Sequence, residues 1–447
     1  MKTMALGLGL LFSASTLAST VAIIDSGTDM KHKDLAPKAW INTVEIADNN
    51  RDEDRNGYPD DVQGWNFAES NNKIIDYKYL GTLNEDIRKF FVLQEKMMRG
   101  TATAEEIQWA RDILKDESFI KRISIYGNFM HGTHVAGIAA KKADDAKILT
   151  VKLIPTEVKL PGQDKINKKD SFPLKMFKKG LELLAKQQAT MMEEIGYYVD
   201  GHKADIANGS FGTGYPQAMQ ITAMLYKTLF RKDPTPELNH ELSLVFLNAA
   251  VKENARLVEV APNTLFVFAA GNDGLNNDKF PTSPTNIKAD NVLSVAATMG
   301  RLAIAPFSNY GKKMVDVAAP GVGILSAAPG DEYVKVSGTS QAAPFVANIA
   351  ARVKDANPAL SPIDIKKIIM GTVDYKGYLT DIVLTGGLVN TGRAVQAGIL
   401  SNTRNIADAI ATSREEVADV IVEGSLKSLP TMGDASLVLP LPSMFKF

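Results

Sequence analysis

Cysteine is absent from this 447-residue chain. That excludes disulfides, zinc–thiolate sites, iron–sulfur clusters and a cysteine nucleophile together. Net charge is almost absent as well, since 50 Lys and Arg stand against 51 Asp and Glu for a balance of -1. No broad positive field is available to hold nucleic acid, so partners are to be sought in sites and not in overall charge. After the N-terminus no stretch approaches the roughly 18 uninterrupted apolar residues of a membrane span. What remains, 45% hydrophobic and 23% charged residues, is ordinary globular material for one large domain or two average ones.

Residues 1–18 have the layout of a secretory signal peptide: Lys2, an apolar run from Met4 to Phe12, then small residues ending at Ala18. The expectation is export to a secreted or periplasmic location, a mature chain without a membrane span, and one main folded body over 19–400. Short β-branched or apolar runs at Val21–Ile24, Lys147–Ile154, Asp205–Ala207, Thr264–Ala270 and Asn291–Ala297 read as buried parallel strands. Helical patterns at 131–142, 172–189 and 239–256 alternate with them, which predicts an α/β fold with a doubly wound, mostly parallel sheet flanked by helices. Residues 82–116 interrupt that rhythm as a helical surface insertion, its second helix opening on the capping box Thr103-Ala104-Glu105-Glu106. A lysine-rich loop precedes the helix at 172, and its charge is expected to be a solvated face. Residues 401–447 are expected to hold one helix, 404–422, and a proline-bearing tail that adds little to the core.

Hydrolysis of an amide near neutral pH needs a nucleophile, a base and a group that fixes the base's tautomer. Without cysteine, serine with histidine is the natural pair. His131 lies in HGTHVAGIAA, whose spacing places it at the N-terminal end of a helix facing a cleft. Ser340 lies in VSGTSQAAPFVANIAARVK, where Gly338 permits a tight turn and the small residues after it start a buried helix, with Pro344 early in it. A serine there sits at the positive end of the helix dipole, which favours a developing anion. Asp25 closes the first strand.

Together, DSGTD at Asp25, HGTHVAG at His131, AAGN ending at Asn272 and SGTSQAAP around Ser340 resemble the four signature blocks of the subtilisin-like serine proteases, the subtilases, in the family's Asp, His, Ser order. The resemblance covers roughly residues 20 to 400. It implies a serine endopeptidase acting on proteins or peptides, in which Ser340 attacks the scissile carbonyl through an acyl-enzyme, His131 carries the proton and Asp25 orients His131. It further implies that Asn272 and the backbone N–H of Ser340 hold the oxyanion. The segment ADIANGSFGTG resembles the family's groove edge, where Ser210, Phe211 and Gly212 would offer backbone groups to an extended substrate. His134, one turn from His131, could form a metal pair with it, but the resemblance implies a buried structural residue. Family members usually carry a propeptide, whereas six residues, Ser19 to Ile24, separate Ala18 from Asp25; either maturation needs no such segment or the chain starts late. A binding protein on the same scaffold is the alternative function, and the oligomeric state is not legible.

Residues 52–61, DEDRNGYPDD, repeat the start of a calcium loop. Asp52, Asp54 and Asn56 would be oxygen ligands, Gly57 makes the turn, and the Tyr58 carbonyl follows. Gln63 stands where a bidentate Glu closes such loops, so Asp60 or Asp61 would complete a structural Ca2+ site; the alternative reading is a solvated acidic turn.

Overall fold

A computed structural model describes residues 18–157, 174–421 and 438–443. The leader through residue 17 and the lysine-rich loop at 158–173 lie outside them. Twelve strands are described: β1 Thr20–Asp25, β2 Gly64–Asn66, β3 Lys147–Lys152, β4 Ile206–Gly209, β5 Leu265–Ala269, β6 Val292–Met299, β7 Ala303–Ile304, β8 Val317–Pro320, β9 Ile324–Ala328, β10 Glu332–Val336, β11 Asp374–Tyr375 and β12 Gly387–Leu388. The α-helices among the described residues are α1 Glu85–Met98, α2 Ala104–Ile113, α3 Glu117–Ala140, α4 Leu174–Gly201, α5 Tyr215–Phe230, α6 Pro236–Asn254, α7 Arg256–Glu259, α8 Thr339–Ala356, α9 Pro362–Gly371, α10 Thr391–Leu400 and α11 Ile406–Glu416.

The main sheet runs β11-β12-β8-β6-β5-β4-β1-β3-β2, parallel except at β11–β12 and where β7 turns back on β6; β9 and β10 form a separate antiparallel hairpin. The doubly wound expectation therefore holds. Strands buried on both faces must be apolar at every position, and β1 shows why. Val21 and Ile23 join the core beneath α3, α8 and α9, while Ala22 and Ile24 join the opposite core beneath α4. From β1 the sheet grows one way through β3 and the other way through β4, so the winding reverses at β1. A crevice opens beyond the carboxyl ends of the strands at such a point.

Two expectations are corrected. His131 is not at a helix start: α3 begins at Glu117, capped by Asp116. Phe119, Ile123, Tyr126 and Met130 recur at helical spacing and pack with Ile87, Phe90 and Phe91 of α1, so the insertion's core extends the helix upstream of the HGTH block. The capping box at Thr103 and Glu106 is present as read, opening α2. The second correction concerns the tail. Val438 and Leu441 are buried in the main core, because an extended segment fixed through its carbonyls needs no hydrophobic period to pack.

Candidate active site

Asp25 ends β1 at full burial, and Gly27 turns the chain immediately after it with φ +106°. An added Cβ on Gly27 would lie 2.2 Å from the Ile74 carbonyl, so only glycine fits this turn. The loop lies against α3: a Cβ on Gly132 would come within 2.3 Å of the Gly27 carbonyl. That close approach carries His131 to Asp25, with Nδ1 2.7 Å from Asp25 Oδ1. A carboxylate only accepts, so Nδ1 carries the proton and Nε2 is left as the base. Oδ1 also accepts from the Ser26 N–H at 2.7 Å, while the buried Oδ2 has no hydrogen-bond partner among the described residues. The desolvated charge of Asp25 is thus spent mainly on the imidazole.

Ser340 is the second residue of α8, among the first N–H groups of a helix, which lack intrahelical partners. Pro344, in the second turn rather than the first, lacks the N–H that would bond the Ser340 carbonyl. Ser210, one residue beyond β4, replaces it by donating its hydroxyl to that carbonyl at 3.0 Å, and Asn208 donates to Ser210 Oγ at 2.9 Å. In return Ser340 Oγ donates to the Ser210 carbonyl at 3.3 Å. Phe211 is buried against Phe268, and the Gly212 N–H points toward the tail.

Asn272 has its amide direction fixed. Its Oδ1 accepts from the N–H and the hydroxyl of Thr339 at 2.9 and 2.8 Å, which turns its NH2 into the cleft. The cleft, of about 350 Å³, is lined by His131, Asn272, Asp273, Ser340 and residues 439–443 of the tail. Sequence reasoning passed over Asp273, whose burial raises its carboxyl to about 6.

His134 is fully buried, with Nε2 3.1 Å from both the Ile324 and Val334 carbonyls. Carbonyls only accept, so this nitrogen carries a proton and cannot be a ligand; desolvation pushes the imidazole down to about 4 and keeps it neutral. The structural role implied by the resemblance fits this geometry. His202 contacts Asp61 at 3.1 Å, His32 the Glu332 carbonyl, and His240 the Tyr215 hydroxyl.

In the acidic loop Asp52 and Asp54 meet a residue outside the D-x-D-x-N-G frame: one oxygen each of Glu45, Asp52 and Asp54 lie within 4.8 Å of one another. Three hard carboxylate donors suit a calcium ion in type. Asn56 donates to Asp54 and Asp61, and its oxygen accepts from the Tyr58 N–H. Asp60 accepts from the Asn49 and Asn50 amides, and Asp61 from Asn42 and Tyr198.

The sequence profile described as "Subtilase family" matches residues 18–390. The chain is 37% identical over 148 residues to "Alkaline elastase YaB" of Bacillus sp. (strain YaB), covering 33% of this chain and 37% of that protein. It is 33% identical over 165 residues to "Thermostable alkaline protease" of Halalkalibacterium halodurans, covering 36% and 44%. These matches span less than half the length of either relative. A solved structure described as "Crystal structure of a cold adapted subtilisin-like serine proteinase" aligns over 84% of this chain and 88% of its own, at 17% identity and a TM-score of 0.44.

Proposed function

The chain belongs to the subtilase family, and from that premise we propose that it is an exported serine endopeptidase using Asp25, His131 and Ser340. The observation that carries this reading is the buried 2.7 Å pair of His131 with Asp25, opening on the cleft that Ser340 and Asn272 also line. Rotation of the Ser340 hydroxyl from the Ser210 carbonyl toward His131 prepares the attack. Oγ bonds to the substrate carbonyl carbon as His131 Nε2 takes its proton, and the oxyanion is held by Asn272 and the Ser340 N–H. The tetrahedral adduct then expels the amine, which receives that proton, leaving an acyl-enzyme. Water, deprotonated by His131, releases the acid and restores Ser340.

Ser340→Ala and His131→Ala each remove nearly all peptide hydrolysis, and the double variant loses little more, because the residues act as a unit. Turnover kept by Ser340→Ala sinks the assignment. Acidification suppresses the rate, since a protonated imidazole accepts nothing.

Export is supported by the surroundings of Ser19. Its N–H lies 2.9 Å from Asp355, whose carboxyl is held above its usual range by burial and then by Asp145 and Asp205. Cleavage after Ala18 places an ammonium against that acidic group. N-terminal sequencing of the extracellular or periplasmic protein should begin at Ser19.

Calcium is assigned to Glu45, Asp52 and Asp54. The ion would neutralise three crowded carboxylates and clamp the loop, taking no part in the chemistry.

A further inference from the structure

The cleft already holds a peptide, and it is this chain's own. The Leu439 carbonyl accepts from Asn272 Nδ2 at 3.0 Å, the Leu441 carbonyl from Gln217 Nε2 at 3.2 Å, and the Pro442 carbonyl from the Gly212 N–H at 2.9 Å. Ser443 closes the row with a 3.1 Å contact between its hydroxyl and that of Thr213. Gln217 is pinned as Asn272 is, its Oε1 accepting from the Gly214 N–H, so both NH2 groups face the tail. Leu441 is buried, and Leu439 reaches α3, where its Cδ1 would lie 3.0 Å from a Cβ on Gly127.

Two of these donors, Asn272 and Gly212, are the groups assigned above to the oxyanion and to the substrate backbone. Whatever occupies them competes with substrate. Pro440 and Pro442 have no N–H, so along this stretch the chain presents mainly acceptors, which is what a cleft of donors can satisfy. Their fixed φ angles also reduce the ordering cost of binding. The Leu439 carbonyl lies on the oxyanion amide, and the nitrogen that would leave is that of Pro440, where ring carbon replaces hydrogen.

We propose that Val438–Ser443 is a resident pseudosubstrate: the groove takes extended, apolar, proline-interleaved peptides, and the tail of the chain itself fills it and holds the enzyme latent. This rests on the protease reading above for its catalytic consequence, though not for the binding itself. A tethered ligand acts at an effective concentration near millimolar, so a segment with a free dissociation constant near 100 μM suppresses the open site about tenfold.

The test compares the full chain with one ending at residue 437, each with Ser340 intact and each as Ser340→Ala. In the Ser340→Ala pair, which cannot cut its ligand, a fluorescent capped peptide of sequence VLPLPS binds the shortened chain and binds the full chain about tenfold more weakly or worse. In the intact pair, a fluorophosphonate labels Ser340 about tenfold faster once the tail is gone, and added VLPLPS slows it again. Leu439→Asp in the full-length chain reproduces the acceleration without truncation. Equal peptide binding by the two Ser340→Ala chains overturns the pseudosubstrate, and so do equal labelling rates, in which case the protease reading stands. Tail-dependent binding with no labelling of either chain keeps the pseudosubstrate and removes the nucleophile role of Ser340.

Discussion

Thr339 decides which way the Asn272 amide faces, since its N–H and hydroxyl both hold Asn272 Oδ1. Asn272→Ala should lower kcat by the order of 100-fold with KM little changed, the typical cost of one such donor. Thr339→Val, which loses the hydroxyl and keeps the N–H, should give a smaller loss of the same kind, read from steady-state kinetics. Ser210 holds the carbonyl that Pro344 leaves open, so Ser210→Ala strands a buried acceptor and should cost about 1–3 kcal/mol in unfolding. Asp273 behaves differently. Its carboxyl, raised to about 6 by burial, penalises the folded state above that pH and not below the unfolded value near 4. In a Ser340→Ala background, Asp273→Asn should therefore stabilise the fold at pH 8 by on the order of 3 kcal/mol, read as a higher melting temperature, and leave the melting temperature unchanged at pH 4. Of these residues, the place of Asn272 at the cleft was legible from its block. Thr339 and Asp273 were not, because what fixes them comes from segments far apart in the chain; Glu45 was not, because it precedes the D-x-D-x-N-G frame whose carboxylates it meets.

At the level of elements, the strands were the most readable part. β1, β3, β4, β5 and β6 lie within a residue or two of apolar runs that stand out because both of their faces are buried. α5 escaped notice: buried Ala218, Ile221 and Thr222 share it with half-exposed apolar residues on its other sides, which blurs any stripe. The extended tail carries no period at all, so its carbonyl contacts left no trace in the sequence pattern. The contact between α3 and the β1 loop makes its own prediction. Gly132→Ala places a Cβ 2.3 Å from a backbone oxygen that cannot give way, so α3 must shift and carry His131 off Asp25. Both kcat and stability should fall, the latter by about 1–3 kcal/mol. Gly180→Ala, in α4 with nothing within 4 Å, should instead stabilise by about 0.5–1 kcal/mol and leave turnover alone. Calorimetry and kinetics on this pair separate crowding from helix propensity.

At the level of the whole molecule, no disulfide is available to hold the surface loops, and among the described residues the acidic loop between β1 and β2 brings together three carboxylates, those proposed above for a calcium clamp. Chelation should lower the stability of the Ser340→Ala protein by about 2.7 kcal/mol relative to a hundredfold excess of calcium over Kd, read as a lower melting temperature. Asp54→Ala should abolish that difference. An unchanged melting temperature would make this loop a solvated acidic turn.

The position of β1 has a consequence in time as well as in space. It is an early strand, yet it lies in the middle of the sheet, between β3 and β4, and Ser19 just before it is bonded to Asp355, 336 residues away. The central strand can be seated only after long loops have closed, and their entropy is lost before any contact repays it. Such a topology folds slowly from the denatured chain, and the late-formed contacts that complete it must be broken again for the molecule to open. Endurance in a proteolytic medium is then governed by an unfolding rate rather than an equilibrium constant, and the apparent melting temperature should rise with scan speed.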